Sequence, residues 1–179
     1  MFFWDHRIKK DWHKYLKQSF LAAILVLPLF FVLNIEKHSA IISTLGASIF
    51  IVFTVPHYSS SHPRRILGGY FFGSLIGITA YYSIALLYPL PYSPPFYFAP
   101  IATGIIILLM AVTSTEHPPA AGLAIGLIYN QWDLETLLTI WGSVIFLSLV
   151  RHFLEPWLIN LSGTPKPQKE GRSRVLSRN

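Results

Sequence analysis

Ser114-Thr115-Glu116-His117-Pro118-Pro119-Ala120-Ala121-Gly122 is the stretch that decides how this chain folds. It puts a carboxylate, an imidazole and two prolines between two strongly apolar segments. The fifty residues before Glu116 contain no Asp, Glu, Lys or Arg. Adjacent prolines are excluded from a helix interior, but they suit its first turn, where the missing N–H has no partner to lose. One helix is therefore predicted to end between Thr113 and Glu116, and a second to begin at Pro118 or Pro119.

Outward from this break, the charge distribution sets the class. The chain is 53% hydrophobic and 12% charged, whereas a soluble domain is typically about a quarter charged. Uncharged blocks lie between Lys37 and Arg64, Arg65 and Glu116, and Glu135 and Arg151. A hydrocarbon core of about 30 Å takes roughly 20 helical residues to cross. The pattern predicts an all-α, multi-pass membrane protein of about six segments. The absence of cysteine removes disulfide and thiolate chemistry. The net charge of +6 comes from the termini. On a membrane protein it reads as an orientation signal and not as nucleic-acid binding.

Residues 1–18 read as an interfacial amphipathic helix, with Trp4, Ile8, Trp12 and Leu16 at helical spacing and lysines between them. A transmembrane domain is expected over 19–160, and a basic, disordered tail over 161–179. No signal peptide is visible. The expected spans are 19–33 (kinked at Pro28), a short 40–55, 66–88, 98–112, a half-length 119–129, and 134–150. Gly69, Gly73 and Gly77 recur every four residues, a stripe that admits a close neighbouring helix. With both termini cytoplasmic in the cell membrane, thirteen of the fourteen Lys and Arg lie inside and only Lys37 outside. The chain also divides near residue 90 into two halves of three segments, each long, short, long. Three crossings per half would invert one half relative to the other, and paired short segments in such repeats point to a transport site.

Those short segments supply the candidate residues: Thr44, Gly46, Ala47 and Ser48 on one side, and Thr115, His117, Pro118, Pro119, Ala120, Ala121 and Gly122 on the other. Two opposed helix starts would attract a small anion through unpaired N–H groups and their partial positive charge. His117 is the one group there that gains charge near neutral pH. If Glu116 and His117 lie at membrane depth they should face a cavity; the competing reading ends the fourth span at the surface, with both wet. No metal-ligand spacing and no cofactor motif is present. Enzymatic readings fare badly, the arrangement to weigh being hydrolysis by Ser114 with His117.

The residues also resemble those of the HPP family of small integral membrane proteins. The resemblance rests on His117-Pro118-Pro119 after Ala111, Thr113 and Thr115, and on Leu45-Gly46-Ala47-Ser48, Pro56-His57, Pro63-Arg64 and Gly68-Gly69, in family order over about residues 15–150. It implies a multi-pass protein with a transport-related role, some relatives being linked to nitrite. Ala121 and Tyr70 depart from the family pattern, which commonly has Gly and His there. The resulting expectation is a transporter or channel for a small inorganic anion, nitrite first, working as a homo-oligomer in the bilayer. The competing expectation is a non-transporting membrane scaffold or sensor.

Overall fold

Prolines and small residues set the element boundaries. A computed structural model of the chain describes residues 8–32, 35–88, 95–130 and 132–162. These form six α-helices: α1 Ile8–Val32, α2 Ile35–Thr54, α3 Pro63–Leu87, α4 Phe98–Thr113, α5 Pro119–Tyr129 and α6 Leu134–Leu154. A single 3₁₀ turn, Ser59–Ser61, lies between α2 and α3. Pro63 and Pro119 each sit in the first turn of their helix, where proline is tolerated. No strand occurs among the described residues.

Two boundaries differ from the expectation. The expected interfacial helix and first span are one element: α1 runs through from Ile8, with a break in geometry at Asp11 (φ −120°, ψ 21°). Residues 1–7 of that expected helix, and 163–179 of the expected tail, lie outside the described residues. The second segment begins earlier than expected: α2 has 20 residues, with a kink of non-helical geometry at His38 (φ −123°, ψ 21°). Beyond that kink its apolar stretch, His38–Thr54, is short as expected. α5 is shorter still, and its 11 residues span about 16 Å at 1.5 Å per residue.

Contacts fix the helix directions. Thr44 meets Gly122 and Ile41 meets Gly126, so α2 and α5 run antiparallel. Gly69 meets His117 and Gly77 meets Leu127, so α3 and α5 run parallel. Thr136 of α6 meets His38 at the start of α2, and Arg151 meets Pro56 beyond its end. The six helices therefore alternate in direction. One end gathers the ends of α2, α4 and α6 with the starts of α3 and α5.

α5 is the central helix. Ala120, Leu123, Ala124 and Leu127 are wholly buried among residues of α2, α3 and α6. The glycine stripe makes this possible. A Cβ on Gly77 would come within 2.9 Å of the Ala124 backbone, and one on Gly73 would fall on the Ala120 carbonyl. Outside, Ile101, Ile107, Leu108, Val112, Leu86 and Phe146 are exposed. In water this would be a large sticky surface; against lipid tails it is solvated, and close van der Waals packing between helices does the holding. α3 and α6 are long and apolar enough to cross a membrane.

Candidate functional site

α4 ends in a sharp reversal. Ser114 adopts the left-handed conformation (φ 52°, ψ 46°), and it is the non-glycine residue with positive φ among the described residues. Thr115 N–H bonds back to the Met110 carbonyl at 2.9 Å, the six-to-one bond of a Schellman turn. Neighbouring side chains are thereby sent in opposite directions. Glu116 points outward and pairs with Arg65 near the start of α3; both are partly exposed. His117 points inward and is completely buried. Neither expectation, a cavity for both or solvent for both, holds for the pair: Glu116 is exposed, and His117 is enclosed by protein.

His117 is held at both ring nitrogens. Nδ1 lies 2.9 Å from the Ser60 carbonyl, which can only accept, so Nδ1 carries a proton by assignment from geometry. Nε2 lies 2.8 Å from Ser48 Oγ. Ser48 Oγ in turn lies 2.8 Å from Tyr70 Oη and 3.1 Å from the Thr44 carbonyl. Tyr70 Oη also reaches that carbonyl at 3.1 Å. Ser48 and Tyr70 are both fully buried.

This bonding accommodates two protonation states. With a neutral imidazole, Ser48 donates to Nε2 while Tyr70 donates to Ser48 or to the Thr44 carbonyl. With an imidazolium, Nε2–H donates to Ser48, and both hydroxyls turn to the Thr44 carbonyl, which has two lone pairs. No polar atom of the cluster is orphaned in either state, an outcome that matters because an unpaired buried group costs about 1–3 kcal/mol.

Beside the cluster, α2 and the start of α5 form an open groove of about 410 Å³, lined in part by Thr44, Ala47, Phe50, Pro118, Pro119 and Gly122. Seven of the candidate residues thus meet around one seam: Thr44, Ala47, Ser48, His117, Pro118, Pro119 and Gly122. Four do not line it. Gly46 faces open space, Thr115 packs on Gly68 and Ala120 on Gly69 and Gly73, and Ala121 is half-buried against the core.

The paired helix starts are corrected as well. Residues 44–48 lie in the middle of α2, so their amides belong to its ladder. At α5 the start is real, but its amides are spent or missing. Pro118 and Pro119 have none, Ala120 N–H bonds to the His117 carbonyl at 3.0 Å, and Ala121 N–H to the Pro118 carbonyl at 3.1 Å. The Thr44 hydroxyl bonds back to Ile41. What faces the groove is one helix dipole and a hydroxyl-imidazole cluster behind it, not a nest of free N–H groups.

Tyr70 and Ser60 were not anticipated as partners. A tyrosine inside an apolar span signals that its hydroxyl has a buried partner, and that signal was available. A backbone carbonyl in a polar turn carries no sequence signal at all.

Residues 9–156 match the family described as HPP, transmembrane region. No curated protein and no solved structure matches the chain.

Proposed function

The chain belongs to the HPP transmembrane family, and from that premise we propose that it is a membrane transporter or channel for a small inorganic anion, with nitrite the first candidate. The observation that carries this reading is the buried His117–Ser48–Tyr70 cluster behind the α2–α5 groove. A titratable group enclosed within a membrane bundle is costly to keep, and such groups mark transport pathways. The half-length α5 points the positive end of its dipole toward the same place.

In this reading all six segments cross or partly cross the cell membrane, with both termini cytoplasmic. The ion would be recognised in the groove, by Thr44, Ser48 and the start of α5. A proton taken up at His117 Nε2 would supply the countercharge, since no Lys or Arg stands among the residues lining the groove. His117 is sealed, so access requires the start of α5 to part from α2. Reconstituted protein is expected to give saturable nitrite flux in liposomes, lost in His117→Ala and pH-dependent in the wild type. Flux of nitrite, nitrate and formate no higher than in protein-free liposomes at any pH would defeat the proposal.

One observation favours a second reading, a non-transporting scaffold or sensor: the hydroxyls and amides around the groove are bonded internally. On that reading the same assay is silent, and His117→Ala lowers only stability. Topology is checked separately by labelling single cysteines placed at 64 and 133. Position 64 should be reached from the cytoplasm and 133 from outside.

A further inference from the structure

Past the end of α6 the chain does not leave the bundle. It runs back across the end that gathers the starts and ends of the other helices. Leu158 is buried in the core. Ile159 forms two hydrogen bonds with the side chain of Gln18: its N–H donates to Oε1 at 2.9 Å, and Nε2 donates to its carbonyl at 3.0 Å. The same Nε2 reaches the Phe53 carbonyl of α2 at 2.7 Å, and Gln18 is itself buried. Leu161 N–H donates to the Thr54 carbonyl at 2.8 Å, and Tyr15 donates to the Leu161 carbonyl at 3.2 Å. The stretch lies just beyond the residues that match the family.

The other side of this segment grips the turn between α2 and α3. His57 N–H donates to Asn160 Oδ1 at 3.2 Å, and His57 Nε2 lies 3.1 Å from the Leu158 carbonyl. Arg151, buried at the end of α6, donates to the Pro56 carbonyl at 2.9 Å and holds Glu155 with both terminal nitrogens. Within the turn are the Tyr58, Ser61 and His62 amide bonds and the Ser61 hydroxyl bond to the Val55 carbonyl, and the same hydroxyl reaches the Ile51 carbonyl of α2 at 3.3 Å. Its Ser60 carbonyl holds His117 Nδ1.

We infer that residues 156–162 are a strap that positions the 55–62 turn and, through the Ser60 carbonyl, sets the orientation of the His117 ring. The strap holds the turn at His57, and His117 holds it three residues on, at Ser60. Loosening the strap frees the turn, withdraws the Ser60 carbonyl from Nδ1 and opens the buried imidazole toward that end of the molecule. The C-terminal segment is thus a regulatory element for the buried cluster. This holds whatever the protein carries, and the inference stands or falls apart from any flux measurement.

Gln18→Ala in the full chain removes the two bonds that fasten the strap to α1, together with the bond from α1 to the Phe53 carbonyl of α2. Amide exchange over 57–62 should rise about tenfold or more, the factor that one net hydrogen bond of roughly 1.4 kcal/mol is worth. His117, protected in the wild type, should become reactive to diethyl pyrocarbonate, read by mass spectrometry of its peptide. Exchange in the interior of α5, residues 123–127, should not move. Tyr15→Phe, a milder change that loses only the Leu161 contact, should give a smaller rise in the same place. Faster exchange confined to 156–162, with His117 still protected, overturns the inference. So does an equal rise in α5, which would make the segment ordinary core and not a strap.

Discussion

Residues 44–48 and 118–122 look alike in sequence, each a run of small residues flanked by apolar ones, yet they do opposite work. The first is the middle of an unbroken helix. Its backbone is fully occupied, and it contributes side chains and one carbonyl: Ser48, and the Thr44 carbonyl that Ser48 and Tyr70 share. The second is a genuine break, held by a left-handed Ser114 and by prolines, and it contributes an inward-pointing ring. Small residues therefore have two meanings. In α3 they let α5 come close; at the start of α5 they leave the mouth of the groove open. The site needs both, because His117 can be enclosed only if the helix after it packs at backbone distance on α3.

That contrast can be broken hardest at the α3–α5 contact. Gly73→Val places a side chain on the Ala120 carbonyl and should destabilise the protein by about 3 kcal/mol, the upper range for overpacking. An unchanged melting temperature in detergent would show that the helices do not meet there. Ser48→Ala comes next. It leaves His117 Nε2 without its partner and should cost about 1–3 kcal/mol. Ser43→Ala, an exposed change on the same helix, should stay within about 0.5 kcal/mol. Equal effects from the two serines would deny the buried cluster its structural role.

A sharper test sets two glycines against each other. A Cβ on Gly122 would lie 2.7 Å from the Thr44 methyl, whereas one on Gly46 meets nothing within 4 Å. Gly122→Ala should therefore cost about 1 kcal/mol, and Gly46→Ala should gain about 0.5–1 kcal/mol by removing a helix-interior glycine. Melts of the two variants should shift in opposite directions.

The smallest expected effect lies at the far end of the molecule. Asp133 caps α6, and the Thr136 N–H bonded to it holds its carboxyl below the usual range. A depressed folded value adds stability above the unfolded pKa, and that stability is lost as pH falls through the folded one. Asp133→Ala should therefore melt lower than the wild type at neutral pH, and the difference should begin to shrink as pH falls below about 4, the ordinary carboxylate value, and vanish only below the lower folded value. A difference that does not shrink in acid would mean the cap acts otherwise.

Much of the fold was legible because proline and charge are blunt signals. The breaks at Pro63 and at Pro118-Pro119, the half-length of α5 and the glycine stripe all follow from steric rules that tertiary context seldom overrides. The helical start of α2 before its kink was not legible, because Glu36-Lys37-His38 fits a loop and a bent helix start equally well. Within the site, His117 and Ser48 stood out as polar residues in apolar surroundings. Their pairing across 69 positions did not, since only packing of α5 between α2 and α3 brings them together. The same applies to Ser60, which acts through its backbone and so has no side-chain signature. The outward turn of Glu116 depends on the left-handed conformation of Ser114, which serine adopts rarely and its sequence neighbours do not announce.

The most direct test uses the absence of native cysteine. In the double variant Thr44→Cys/Gly122→Cys, the Cβ positions stand 3.9 Å apart, close to the roughly 3.8 Å of a natural disulfide, and replacing Thr44 also removes the methyl that would crowd residue 122. Oxidation should staple α2 to the start of α5 across the groove. If the ion passes there, nitrite flux into liposomes should fall on oxidation to the level of protein-free vesicles and recover on reduction. Equal flux from the cross-linked and the reduced protein would contradict the account, because the groove and the imidazole behind it would then lie off the path.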